Sequence, residues 1–129
     1  MIEPIPAAAE TIGTRLLDAA FEVHRRLGPG LLESVYEVCV CHELTKLGLP
    51  FQRQVWLPIN YDEIQIDAGL RLDIVLQDIV IAEIKAVETI LPVHDAQLLT
   101  YLKLTGMRLG FLINFNVPLL KNGIKRIVL

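Results

Sequence analysis

The chain has 129 residues, of which 53% are hydrophobic, and its formal net charge is −3. That length suits a single domain spanning residues 1–129 with a core of its own, and no run of about 18 uninterrupted apolar residues offers a membrane span. The negative balance excludes a global basic field, so any phosphate must be met by local groups such as Arg25-Arg26 or Lys121 with Lys125-Arg126.

Residues 1–10 read as an N-terminal tail, and the start lacks the basic region of a signal peptide. Residues 11–27 form an amphipathic helix, with Ile12, Leu16, Ala19, Ala20, Val23 and Leu27 at helical spacing and Gly28-Pro29-Gly30 as its stop. A second helix over about 31–47 places Val35, Tyr36, Cys39, Val40 and Leu47 on one stripe, ahead of Gly48. Cys39 and Cys41 have neither disulfide nor zinc spacing and read as buried free thiols. With the missing leader, they point to the cytoplasm. The period then switches to that of strands: 51–60, with Trp56 as a packing residue, then a strand from Gln65 that bends near Gly69 and continues through 71–76. Gln77-Asp78 reverses the chain into a strand over 79–87. Pro92 opens a third helix that ends at Gly106. Two strands, 109–115 and 124–129, close an α+β domain of order ααββββαββ.

Asp73, Glu83 and Lys85 stand out because they interrupt strands that are otherwise rich in Ile, Val and Leu. Charges on buried strands are costly unless they are paired or bind a metal. Strand alternation puts Glu83 and Lys85 on one face. Asp73 and Glu83 can share one Mg²⁺, with the carbonyl of Ile84 as a third oxygen ligand, and Lys85 can face an attacking water or a scissile phosphate. This chemistry makes a demand on register. A two-residue loop at Gln77-Asp78 sets Asp73 opposite Ala82, whereas a three-residue loop or a bulge sets it opposite Glu83. The plainer alternative is an ion pair between Glu83 and Lys85, with Asp73 on a solvated face.

Three further positions carry polar groups toward such a site. Glu33 lies one turn into the second helix, with Tyr36 three residues on. On the third helix Gln97 and Tyr101 are four apart and His94 precedes Gln97 by three, which makes a polar stripe able to orient a water or contact a phosphate.

The order of these parts resembles the PD-(D/E)XK nuclease superfamily, and within it the small GxxExxY proteins. Their name motif stands here as Gly30-Leu31-Leu32-Glu33-Ser34-Val35-Tyr36, followed by Arg71-Leu72-Asp73-Ile74-Val75, Glu83-Ile84-Lys85-Ala86-Val87, Ala96-Gln97-Leu98-Leu99-Thr100-Tyr101 and Leu109-Gly110-Phe111-Leu112-Ile113-Asn114-Phe115. Leu72 stands where the superfamily's label motif has a proline. The resemblance implies a restriction-endonuclease-like α/β/α core, a mixed central sheet flanked by helices. It also implies a Mg²⁺ or Mn²⁺ site on Asp73, Glu83 and Lys85, with Glu33 and Gln97 at accessory positions. The expected activity is hydrolysis of nucleic acid, DNA in the first instance, by a homodimer with no membrane association. The alternative is a binding module that keeps the fold without the chemistry.

Overall fold

The computed structural model describes residues 3–129. Its elements are α1 (Ala7–Leu27), α2 (Glu33–Lys46), β1 (Gln52–Tyr61), β2 (Ile64–Leu76), β3 (Val80–Lys85), α3 (Pro92–Thr105), β4 (Leu109–Asn114), a short 3-10 turn at Leu120–Gly123 and β5 (Ile124–Val128). The strands form one sheet in the order β1-β2-β3-β4-β5. The β3–β4 pair is parallel and the other pairs are antiparallel. A parallel pair needs a crossover, and α3 supplies it.

The sheet is covered on both faces. Ile12, Leu16, Val23, Tyr36, Val40 and Leu44 of α1 and α2 pack on Ile74, Leu76, Ala82, Ile84, Phe111 and Ile113. Leu98 and Leu102 of α3 pack on the other face against Leu72, Val75, Ile81 and Leu112. The α/β/α layering is therefore present. Gly110 permits it at one point, because a Cβ there would stand 3.0 Å from Leu98.

Four expectations are corrected. Helix α1 begins at Ala7, so residues 7–10 are not tail: Ala7-Ala8-Ala9 are the best helix formers, Ala9 is buried and the carbonyl of Pro6 accepts from Ala9 and Glu10. The part of that tail at residues 1 and 2 lies outside the described residues. On α2 the buried stripe is Tyr36, Glu37, Val40, Cys41 and Leu44, while Val35 and Leu47 are exposed and Cys39 is half-buried. Residues 64–76 form one strand that runs on through Gly69 as expected, so the element order is ααβββαββ and not ααββββαββ. The bend there is taken up by Ala68 at φ +54° and by a register shift between Leu57 and Ile59, without breaking the β1–β2 ladder. Trp56 is not packed but 58% exposed.

The β1–β2 hairpin is the feature that shapes the site. Along β2 only Ile74, Val75 and Leu76 pair with β3, whereas pairing with β1 runs from Ile64 to Val75. The hairpin therefore leaves the sheet at Asp73. The face pattern slips at the same point. Leu70 and Leu72 pack on the α3 layer, but Ile74 and Leu76 pack on the α1–α2 layer, although strict alternation would put all four on one face. On β1 the slip falls between the Arg53↔Ile74 and Val55↔Leu72 pairs, where Gln54 adopts φ +54°.

Candidate active site

The chain between β2 and β3 turns through Gln77 and Asp78, both at φ +54°, and Leu76 pairs with Val80. The loop thus has three residues, and the register that the chemistry demands is the one formed. Continuing the ladder beyond Ile74↔Ala82 brings Asp73 opposite Glu83. At that step side chains replace the ladder. The Glu83 carboxylate accepts from the backbone N–H of Asp73 at 2.8 Å, and the Asp73 carboxylate accepts from the N–H of Ile84 at 2.9 Å. Each acid caps the strand that carries the other.

Both acids are buried, Asp73 at 5% and Glu83 at 3% exposure. Glu83 forms no ion pair with Lys85 within 4.0 Å among the described residues, so the plainer alternative of a Glu83–Lys85 pair beside a solvated Asp73 does not hold. Burial pushes the Glu83 carboxyl up to about 8, and the Asp73 charge pushes the same way against the N–H of Asp73, Lys85 and Arg71. Burial also raises Asp73; the Ile84 N–H, Lys85 and Arg71 pull it back, while Glu37 pushes it further up. Two buried like charges held apart only by backbone donors favour either a proton or a cation between them.

The carbonyl of Ile84 opens toward the same fork. Lys85 directs its carbonyl to β4, where Phe115 N–H donates to it at 2.9 Å, so the peptide oxygen one residue earlier points to the opposite side.

The sequence-derived residues fall into two groups. Glu33 is exposed at the first turn of α2; burial raises its carboxyl, while the charge of Lys85 lowers it and that of Asp73 raises it. Tyr101 is half-buried on α3, and its hydroxyl is raised first by burial and then by Glu83 and Asp73. Gln97 sits one turn earlier on the same face of α3, exposed and without a side-chain hydrogen bond among the described residues. Tyr36 and His94 are not brought to the fork. Tyr36 is fully buried, stacks on Phe115 at 4.6 Å, donates to the carbonyl of Gly28 and accepts from Leu31 N–H. His94 accepts the Leu91 N–H through Nδ1 and caps the first turn of α3.

The family model for the PD-(D/E)XK nuclease superfamily matches residues 10–127. The chain belongs to that superfamily. No curated protein and no solved structure matches it. PD-(D/E)XK nucleases usually employ divalent metals such as Mg²⁺ or Mn²⁺, and the fork suits one in a particular way. Among the described residues no three His, Cys, Asp or Glu side chains converge as a closed cage. Mg²⁺ is commonly held by one or two carboxylates and keeps waters and phosphate oxygens for the rest of its shell. Two opposed carboxylates and one free carbonyl fit that demand.

Two neighbours of the fork escaped the sequence reading. Glu37 is 5% exposed and is gripped by Arg53 at 2.5 Å and by Gln54 at 2.8 Å. Its signal was available: it falls within the apolar stripe of Tyr36, Val40, Cys41 and Leu44, where a charge needs a partner. Arg71, two residues before Asp73, tempers Glu33, Asp73 and Glu83 alike.

Proposed function

We propose that this fork hydrolyses phosphodiester bonds of nucleic acid, with Asp73, Glu83 and the carbonyl of Ile84 holding Mg²⁺ or Mn²⁺. The observation that carries this reading is the pair of opposed, buried carboxylates with Lys85 left free of any carboxylate partner on the next outward position of β3. Held by these oxygens, a divalent cation would supply a water of lowered pKa and neutralise phosphate charge. Lys85 then faces the charge that develops on the phosphate. Glu33 and Gln97 border the attacking water from α2 and α3, and Tyr101 closes the side next to Glu83. Tyr36 and His94 act at one remove, by bracing the turn before Glu33 and the start of the helix that carries Gln97.

DNA is the substrate proposed for first trial, and a homodimer is the proposed assembly. A second copy would bury the exposed Leu27 and Val38, which flank a groove of about 270 Å³ on the outer side of α1 and α2; sedimentation as a monomer at micromolar concentration would remove that part. No helix among the described residues is long and apolar enough to cross a membrane, and a cytoplasmic location remains part of the proposal.

The test is cleavage of mixed DNA and RNA substrates with Mg²⁺ or Mn²⁺. We expect metal-dependent activity that falls about 10²–10³-fold in Lys85→Ala and at least as far in Asp73→Asn. Activity equal in all three proteins would expose a contaminant. Absence of both cleavage and metal binding would leave the binding-module reading.

A further inference from the structure

Trp56 is the only tryptophan of the chain, and it stands on the part of the β1–β2 hairpin that extends beyond β3. Large aromatic side chains usually bury most of their area, but this one is 58% exposed. Its cross-strand partner is Arg71, whose guanidinium lies 5.8 Å from the ring centroid. Arg71 is itself exposed. Although Glu33, Asp73 and Glu83 all feel its charge, it forms no ion pair with any carboxylate among the described residues. Arg71 therefore keeps its guanidinium donors open to solvent, in a fork suited to a phosphate.

Position links the pair to the chemistry. Arg71 is two residues from Asp73 on one strand, about 7 Å along it, so a nucleotide next to the one cleaved at the fork would pass over this surface. An aromatic ring engages the face of a base, not its edge. In a duplex those faces are covered by neighbouring pairs, and only edges are offered in the grooves. Single strands offer their faces, and stacking of this kind is tolerant of sequence.

We infer that Trp56 and Arg71 form a platform beside the fork that takes one unpaired nucleotide, its base stacked on the indole face that Arg71 does not cover and its phosphate on the guanidinium. The substrate class is then single-stranded or locally unpaired nucleic acid. The inference rests on the nuclease reading of the fork, but the platform can be measured without cleavage.

Because Trp56 is the sole tryptophan, its emission reports stacking directly. The full chain is titrated in EDTA with a short oligothymidylate and, separately, with a blunt duplex of the same length. Quenching of Trp56 by the single strand and not by the duplex is expected. By anisotropy of a labelled oligothymidylate, Trp56→Ala should bind about 5- to 150-fold more weakly, with Trp56→Phe within about threefold of wild type. Arg71→Ala should lower the slope of log affinity against log salt by about one. Circular dichroism checks that the surface variants stay folded. Equal quenching by duplex, no quenching at all, or wild-type affinity in Trp56→Ala overturns the platform. Single-strand quenching in a protein that cleaves nothing upholds the platform and removes the nuclease reading. Cleavage of blunt duplex with equal kcat/KM in wild type and Trp56→Ala does the reverse.

Discussion

Asp73 and Glu83 each end the other's strand. The carboxylate of Glu83 takes the N–H of Asp73 at 2.8 Å, and the carboxylate of Asp73 takes the N–H of Ile84 at 2.9 Å. Neither donor has a ladder partner across the fork, since strand pairing stops at Ile74↔Ala82. The acids therefore satisfy backbone groups that would otherwise be orphaned, while their own charges stay close together in a dry place. The same two side chains hold the fork and are the candidate ligands.

Proton occupancy follows from this and has a measurable sign. An unfolded glutamate titrates near 4.5, whereas folded Glu83 is pushed up to about 8. Between those values the folded state binds more protons than the unfolded state, so stability falls as pH rises through the window. The contribution is complete below 4.5 and gone above about 8. In EDTA, Tm should drop between pH 5 and pH 8, and Glu83→Gln should flatten the decline by several degrees, on the order of 1–2 kcal/mol. A decline unchanged by the substitution would place its origin elsewhere, in the growing negative charge of the whole chain.

Metal binding should show the opposite dependence. A cation competes with the proton on Glu83, so Mn²⁺ affinity is expected to rise with pH, by up to about tenfold per pH unit, and to level off near pH 8. Calorimetry in two buffers of different ionisation enthalpy should register proton release on binding. Affinity flat from pH 6 to pH 8, with no release, would mean the carboxylates are already ionised without metal.

Glu37 makes a separate claim on stability. It is 7% exposed as a side chain and depends on Arg53, itself 41% exposed, and on Gln54. Breaking a buried pair by removing one partner costs roughly 3–5 kcal/mol, and the exposure of Arg53 reduces that. Arg53→Met should cost about 2–3 kcal/mol in urea unfolding. The double variant Glu37→Leu, Arg53→Met should recover most of it, because no buried charge is then stranded. A double variant as weak as the single one would mean that the pair's packing matters more than its charge.

What the residues disclosed in advance was local. The Ile, Val and Leu runs marked the strands, the helix stops at Gly28, Gly48 and Gly106 were visible, and Asp73, Glu83 and Lys85 stood out as charges in apolar strands. The odd loop at Gln77-Asp78 was a stated requirement, not an established feature, because register depends on backbone conformations that neither residue announces. Both adopt φ +54°, a region usually left to Gly or Asn. The continuity of β2 through Gly69 was legible, and pairing to β1 on both sides of the bend holds it. The exposure of Trp56, by contrast, is hidden in the sequence. Its place on a strand suggested packing, while its exposure depends on how far the hairpin runs past β3, which is a long-range outcome.

Asn114 supports the far side of the fork. It pairs with Lys85 in the β3–β4 register and is 2% exposed. Its side chain accepts from the N–H of Val87 at 3.0 Å and donates to the carbonyl of Val87 at 2.9 Å. Val87 presents one donor and one acceptor together, so an amide satisfies both and a carboxylate or an alkyl group does not. This latch turns the chain out of β3 just after Lys85 and sends it toward α3. Asn114→Ala should leave both groups unpaired and cost about 2–4 kcal/mol. Asn114→Asp should also destabilise, because its second oxygen meets the Val87 carbonyl. If Lys85 works from the end of β3, a folded Asn114→Ala protein at low temperature should lose kcat more than it gains KM, since the ammonium is misplaced while the carboxylate fork is intact. Wild-type stability in Asn114→Ala would show that water replaces the amide, and wild-type kcat would show that Lys85 is placed by β4 pairing alone.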